Sequence, residues 1–324
     1  MKLNHQATVQ RKITVNYNTS TMEIKSILVS SLVPFENHMA NGGEKLLGNA
    51  SSIKRRPDGR VYVSGQMQRH VLFSAINRLN MLDPERGSTF VSNGDGISDQ
   101  IENDLRADMG GFMHPSTGNY SGRRTAPLTV TPAVALTESE VGRDLLVRIK
   151  MDSDGREQAL ATREFSQHDI MQMNFFLDIS ELSISKRFNY QGEYNISTTY
   201  VKHASPEERR RRAKLFLQAT RFMNDYANQA RNAVSGEPQE VLIVFDTVLS
   251  RKGCRYFTAE EIERENIIRE LQDRGAVCFI GNDKAEYSVL RAYQEAMSFL
   301  TSADNILYDP SGESQVQTFA QAFS

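Results

Sequence analysis

The chain has 324 residues, 39% apolar and 24% charged, with nine prolines, no tryptophan and a formal net charge of −2. Such totals suit a globular protein with a sizeable core and exclude a low-complexity, collagen-like or uniformly basic polypeptide. No apolar run approaches the roughly 20 residues that span a bilayer, the N-terminus shows no charged-then-apolar signal pattern, and Cys254 and Cys278 lack ligand or redox spacing.

In chain order, residues 1–20 are polar and read as irregular. MEIKSILVSSLVPF, Met22 to Phe35, has the apolar content of a strand that ends at Pro34. ENHMANGGEKLLGN, Glu36 to Asn49, is a glycine- and asparagine-rich loop. SIKRRPDGRVYVSG follows as a hairpin turning at Pro57-Asp58-Gly59. Gly65 to Asn80 is a helix with Val71, Leu72, Ala75, Ile76 and Leu79 on one face. From Asn80 to about Glu140 lies loop material around one short helix, Asp99 to Met109, which reads as an insertion projecting from the core.

PLTVTPAVALT, LLVRIKM and FFLDISELSIS (Phe175 to Ser185) are strands, and Asp152–Gly155 is a hairpin turn without the remainder of a calcium loop. SKRFNYQGEYNISTTYVKHASP is a polar, aromatic excursion. Ser205, Pro206 and Glu208 then open a helix expected to run to about Asn232, with Leu215, Ala219, Phe222, Met223, Tyr226 and Ala230 inward. EVLIVFDTVLS is a strand, Thr258 with Glu261 caps a helix, AVCFIG is a short buried strand, and Ala285 to Leu300 a final helix. The pattern suggests an α+β sheet with helices on one face, as in ferredoxin-like folds, and leaves a small α/β domain open.

Charge is unevenly spread. Lys45 to Leu82 holds seven Lys or Arg residues and one acid, Asp58, while Met109 to Thr137 holds none of the acids. Acids gather instead in TAEEIERENIIRELQDR, Thr258 to Arg274. Such an arrangement can bind phosphates without overall basicity. The helix after Ser64-Gly65 opens with Gln66, Gln68, Arg69 and His70 in place of the acids that a helix N-terminus favours. With Lys54, Arg55 and Arg56 upstream, this start is a candidate phosphate cradle; the alternative is a helix that Ser64 caps unaided. Arg123-Arg124 sits beside a glycine where a loop enters a strand. Lys186-Arg187-Phe188-Asn189-Tyr190 mixes cations and rings as single-stranded nucleic-acid sites do, or is a hairpin with ordinary aromatic packing. Arg209 to Arg212 reads as a solvated helix end, or one meeting a neighbouring subunit.

Catalytic and metal signatures are absent from the sequence. His5, His38, His70, His114, His168 and His203 have no zinc-type spacing, and no GxSxG, Walker or dinucleotide motif occurs. The expectation is a reduced, intracellular, metal-free protein without a cofactor, and no residues nominate a non-local active site.

KRRPDGRVYVSG followed by a helix opening QMQRH resembles the Cascade backbone subunits of CRISPR systems, the DevR-like branch of the RAMP superfamily. RRTAPLTVTPAVAL and FFLDISELSIS resemble two later segments of that family, so the likeness runs from Met22 to Leu300. It implies one hand-shaped domain over residues 1–324: a ferredoxin-like, RNA-recognition-motif-like palm near 20–80, 140–185 and 236–300, a finger insertion near 81–139 and a thumb loop near 186–205. It further implies a cytoplasmic, repeated, filament-forming subunit of a type I antiviral surveillance complex. That subunit would hold CRISPR guide RNA by its backbone for pairing with target DNA, beside further copies of itself and other Cascade subunits. Lys54, Arg55, Arg56, Ser64, Gly65, Gln66, Arg69 and His70 would form the palm-side RNA surface. Arg123 and Arg124 would touch RNA or a neighbour, and Lys186, Arg187 and Phe188 would open the thumb. The loop that carries a cleaving aspartate in related type III subunits offers only Glu36 and Glu44, so no cleavage is expected. Two rivals remain: a metal-independent guide-processing endoribonuclease using His70 or His203, and an oligomeric structural protein that ignores RNA.

Overall fold

A computed structural model describes residues 21–47, 50–94, 98–113, 123–149 and 158–323. The turn expected at Asp152–Gly155, His5 and His114 fall outside them. The elements run β1 (Met22–Ile24), β2 (Ser26–His38), β3 (Glu44–Lys45), β4 (Ser51–Ser52), β5 (Tyr62–Val63), α1 (Gly65–Leu82), α2 (Leu105–Gly110), β6 (Phe112–Met113), β7 (Arg123–Arg124), β8 (Leu128–Val130) and β9 (Ala133–Ala135). They continue as β10 (Val141–Ile149), β11 (Gln158–Asp178), β12 (Ile184–Gln191), β13 (Tyr194–Lys202), α3 (Pro206–Ala219), β14 (Glu240–Asp246), a 3-10 segment (Lys252–Thr258), α4 (Glu261–Asp273), β15 (Val277–Asn282), α5 (Val289–Thr301), β16 (Asn305–Leu307) and α6 (Phe319–Phe323). The class is mixed α+β.

Two long strands form the spine. β2 and β11 pair antiparallel from Ser166↔His38 to Asp178↔Ser26. β14 and then β15 extend the sheet beyond β2, while β8 and β9 line the other edge of β11 and β5 joins β9. The first half of β11 pairs with β10 over its whole length, forming an arm. Pro34 does not end β2. β14 stops pairing at Leu32, so beyond it the proline lies on a sheet edge, where its missing N–H removes no ladder bond.

Helices cover both faces, which corrects the one-faced expectation. Ile27, Val29, Val33 and Phe35 of β2 pack in a core with residues of α1, α3 and α5. Leu28 and Leu32 face the opposite way, into a second core with Phe257 of the 3-10 segment and Ile267, Ile268 and Leu271 of α4. The unbroken apolar run Ile27-Leu28-Val29 is what a strand buried on both faces requires.

The helix from Ser205 ends at Ala219, not near Asn232. Met223 and Tyr226 are buried as the helical spacing suggested, but on irregular backbone, whereas Ala230 is exposed. Thr220 turns its hydroxyl onto the Leu217 carbonyl, and Asn228 adopts φ 61°, a left-handed conformation asparagine tolerates. α4 starts without a side-chain cap, because the Thr258 hydroxyl is donated back to Arg255. The excursion after Ser185 is a hairpin of β12 and β13 with a register shift between Asn189 and Tyr190, turning at Gly192.

The arginine run on α3 is not a solvated end. Arg209, Arg211 and Arg212 are all buried, and Arg210 donates to the carbonyls of Leu300, Ser302 and Asn305. Asp108 on α2 is the hub of this network. Its Oδ1 accepts from Arg124 and its Oδ2 from Arg212, each at 2.7 Å, while Ser183 donates its N–H and its hydroxyl to the same carboxylate. Burial works to raise the Asp108 pKa, but Arg212 and Arg124 outweigh it and hold the carboxyl below the ordinary aspartate range. α2 is thus bolted to the core, with Leu105 and Met109 inside the main apolar cluster; β8 and β9 belong to the central sheet, so residues 128–135 are not part of an insertion as the 81–139 bounds expected.

His203 closes the same region. Its Nδ1 donates to the Gln317 carbonyl at 2.8 Å, which leaves Nε2 to accept from the Ser185 hydroxyl at 2.9 Å. Burial pulls the imidazole down to about 4, and Arg124 and Arg212 nearby push the same way against Asp108 and the Gln317 carbonyl. A free histidine titrates near 6.5, so the unfolded chain binds a proton that the folded chain refuses. Stability from this source is complete above pH ~6.5 and is lost as pH falls toward 4, by roughly 3 kcal/mol. Urea unfolding at pH 7 and pH 4.5 should show most of that loss in the wild type, and a much smaller pH dependence in His203→Gln.

Candidate nucleic-acid interface

Three places carry the residues that the sequence nominates, and the structure separates them. The first is the start of α1. Ser64 has extended backbone and its hydroxyl accepts the Met67 N–H at 3.2 Å, which leaves the Gly65 and Gln66 N–H groups of the first turn for an outside acceptor. No acid stands in that turn. A Cβ on Gly65 would come 3.3 Å from the Val130 carbonyl, so glycine lets the helix start close against β8. Gln66 and His70 are exposed and lie on one helix face at i,i+4 spacing. Arg69 is half-buried, donates to the Gly110 carbonyl and stands 5.8 Å from the Phe73 ring. Gly65, Gln66, Arg69 and His70 line a cleft of about 890 Å³ together with Asp104, Arg106 and Phe112.

The second place is the turn before β5. Arg55 and Arg56 are exposed and Lys54 is half-buried. Arg55 reaches Glu164 at 3.7 Å, and Glu164 lies ten residues before Asn174 on β11, about 30 Å of strand contour from the β8 edge. Arg143 of β10, which the sequence did not single out, donates twice to the same carboxylate at 3.0 and 3.1 Å while its own side chain stays 72% exposed. One buried glutamate thus holds two guanidiniums toward solvent. Asn41, also missed, fixes the turn: its amide donates to the carbonyls of Lys54 (3.0 Å) and Tyr62 (3.1 Å).

The third is the β12–β13 hairpin. Lys186 pairs with Glu181, which outweighs partial burial and raises its pKa. Arg187 donates to the Ala322 carbonyl and lies 5.6 Å from the Phe323 ring. Phe188 is half-buried, 6.5 Å from Tyr190. The residues most open to a ligand are therefore Tyr190, Tyr194 and Ile196 toward the tip. The sequence already singled out Tyr190, and the alternation in YNISTT, read as strand, would have shown Tyr194 and Ile196.

Arg124 is corrected to an interior role. Its side chain is 4% exposed and is consumed by Asp108, Ser185 and the carbonyls of Glu181 and Ile184. Of Arg123 only the backbone, in β7, is described. His203 is buried, so it cannot meet a substrate, and His70 has an exposed ring at the cleft. Ser139, Asp169 and His38 do gather: the Ser139 hydroxyl and His38 Nε2 reach opposite oxygens of Asp169 at 2.5 and 2.6 Å. Burial would raise the Asp169 pKa, but His38 and Ser139 lower it further than burial lifts it. The carboxylate stands between the other two, so the hydroxyl faces no base and the trio is structural. Among the described residues, no three His, Cys, Asp or Glu could hold a metal ion, and no helix is long and apolar enough to cross a membrane.

The family model for the CRISPR-associated negative auto-regulator DevR/Csa2 matches residues 33–234. The chain matches no curated protein sequence. Among solved structures, a chain of a CRISPR RNA-guided surveillance complex in a pre-nicking state superposes with TM-score 0.52 at 12% identity, over 85% of this chain and all of that one. A chain of another CRISPR RNA-guided surveillance complex gives TM-score 0.49 at 15% identity, covering 83% of this chain and 92% of that one. At such identities the likeness concerns the fold alone.

Proposed function

From a chain that belongs to the CRISPR-associated DevR/Csa2 family, we propose a subunit of an RNA-guided surveillance complex that holds guide RNA by its phosphates. The observation that carries this reading is the acid-free, glycine-opened start of α1, which presents free N–H groups to a cleft flanked by Arg69 and His70. The exposed guanidiniums of Arg55, Arg56 and Arg143 supply a second grip along β11. Backbone contacts of this kind leave base edges free to pair with target DNA. In this proposal the central sheet is a ferredoxin-like palm, the segment between α1 and β8 the finger and the β12–β13 hairpin the thumb, whose tip carries Tyr190 and Tyr194 for stacking.

The subunit acts by binding, in repeated copies, and not by catalysis. The endoribonuclease reading loses His203 to burial. Single-stranded RNAs of increasing length, mixed with the protein and sized by mass, should take up whole copies in regular steps and be recovered uncut. One discrete cleavage product would replace this reading with the nuclease, and a mass independent of RNA would replace it with the structural oligomer.

A further inference from the structure

Residues 309–323 run across the base of the β12–β13 hairpin. The Asp309 carboxylate pairs with Lys202 Nζ at 2.7 Å, and the same ammonium donates to the Gly312 carbonyl at 2.9 Å. The Gln317 N–H donates to the Lys202 carbonyl at 2.8 Å, and the Gln317 carbonyl accepts in turn from His203 Nδ1. Arg187 of β12 donates to the Ala322 carbonyl, with its guanidinium 5.6 Å from the Phe323 ring. Both strands of the hairpin are therefore tied to this one segment.

The other side of the segment reaches the residues around α2. The Phe319 N–H donates to Glu102 Oε2 at 3.1 Å, and the buried Phe319 ring meets Phe112 of β6 edge-on at 5.6 Å. Phe112 also lines the cleft at the start of α1. Phe319 thus joins the cleft wall to the hairpin, its ring 6.1 Å from His203 and 4.8 Å from Phe323. The hairpin needs such a tie. Among the described residues β12 and β13 pair only with each other, and a lone two-stranded ribbon is marginally stable in water. Arg124 and His203 hold Ser185 at its root; Arg187, two residues further out, is held by the 309–323 segment.

We propose that residues 309–323 are a positioning strap. Through Phe319 they hold the hairpin at a set angle to the α1 cleft, so that one strand lying in the cleft also meets Tyr190 and Tyr194 at the tip. The inference rests on the RNA-binding reading. Two contact places held in the bound arrangement before the strand arrives save the cost of ordering them at binding.

The test is a double-mutant cycle on single-stranded RNA. Tyr194→Ala removes a ring at the tip, and Phe319→Ala frees the strap while leaving the tip intact. Each alone should weaken binding about tenfold, the size of one lost base stack. Together they should weaken it no further than either alone, because a loosened hairpin has already lost the Tyr194 contact. Backbone hydrogen exchange in Phe319→Ala should quicken in β12 and β13 while the β2–β11 ladder stays as slow as in wild type, which separates a loosened hairpin from an unfolded chain. Gln317→Pro removes the N–H bond to Lys202 without touching the aromatic contacts, and carries the same cycle where Phe319→Ala does not fold. Losses that add to about a hundredfold overturn the proposal. So does a Phe319→Ala chain that binds like wild type or keeps wild-type exchange in the hairpin. Tyr194→Ala that binds like wild type also overturns it, with RNA binding itself intact. Wild type that binds no RNA removes the underlying reading instead, a separate and recognisable failure.

Discussion

Asp108→Ala should destabilise the folded chain by about 4 kcal/mol or more, enough to leave a large unfolded fraction at ambient temperature. The carboxylate answers Arg124 and Arg212 at once, and both guanidiniums are buried. Its removal leaves Arg124 without its counter-ion in the interior and Arg212 with Glu208 alone, and breaking a single buried pair already costs about 3–5 kcal/mol. It also strands the N–H and hydroxyl of Ser183. Asp108→Asn keeps an acceptor in place and should cost less, with the difference reporting the charge. Equilibrium urea unfolding reads both. Arg291→Ala, which breaks an exposed pair on α5, should barely move the midpoint. A comparably small effect for Asp108→Ala would mean that α2 is not held by this hub.

Gln66→Glu should raise stability and lower RNA affinity together. A carboxylate in the first turn of α1 complements the helix dipole and is worth a few tenths of a kcal/mol. The same charge stands where the proposal puts a phosphate, and like charges at that range should weaken binding about tenfold. Opposite signs are the signature of a helix start left acid-free for a ligand. A variant that gained stability and bound RNA as well as wild type would show that Ser64 caps α1 for structural reasons alone.

Local signals carried much of the fold. α1 was legible because Ser64, Gly65 and the stripe from Val71 to Ile76 agree on one helix. α3 was legible at its start for the same reason and overrun at its end, because Met223 and Tyr226 keep helical spacing after Thr220 and Asn228 have redirected the backbone. The interior role of the arginine run was not legible. Asp108 lies 16 residues from Arg124 and 104 from Arg212, and no local pattern announces an ion pair between residues so far apart. Likewise Arg55 sits close to α1 in sequence, yet its guanidinium turns to Glu164 on β11. The acid-free helix start, on which the proposal rests, was readable from residue types alone.

Equilibrium binding of labelled single-stranded RNA, set against duplex DNA of equal length across a salt series, tests the central claim most directly. The account predicts preference for RNA and a steep fall in affinity with salt, each phosphate contact contributing about 0.7 to the logarithmic slope. Arg55→Ala/Arg56→Ala should flatten that slope by about 1.4. No RNA binding at low salt, or binding indifferent to salt and equal for duplex DNA, would contradict it.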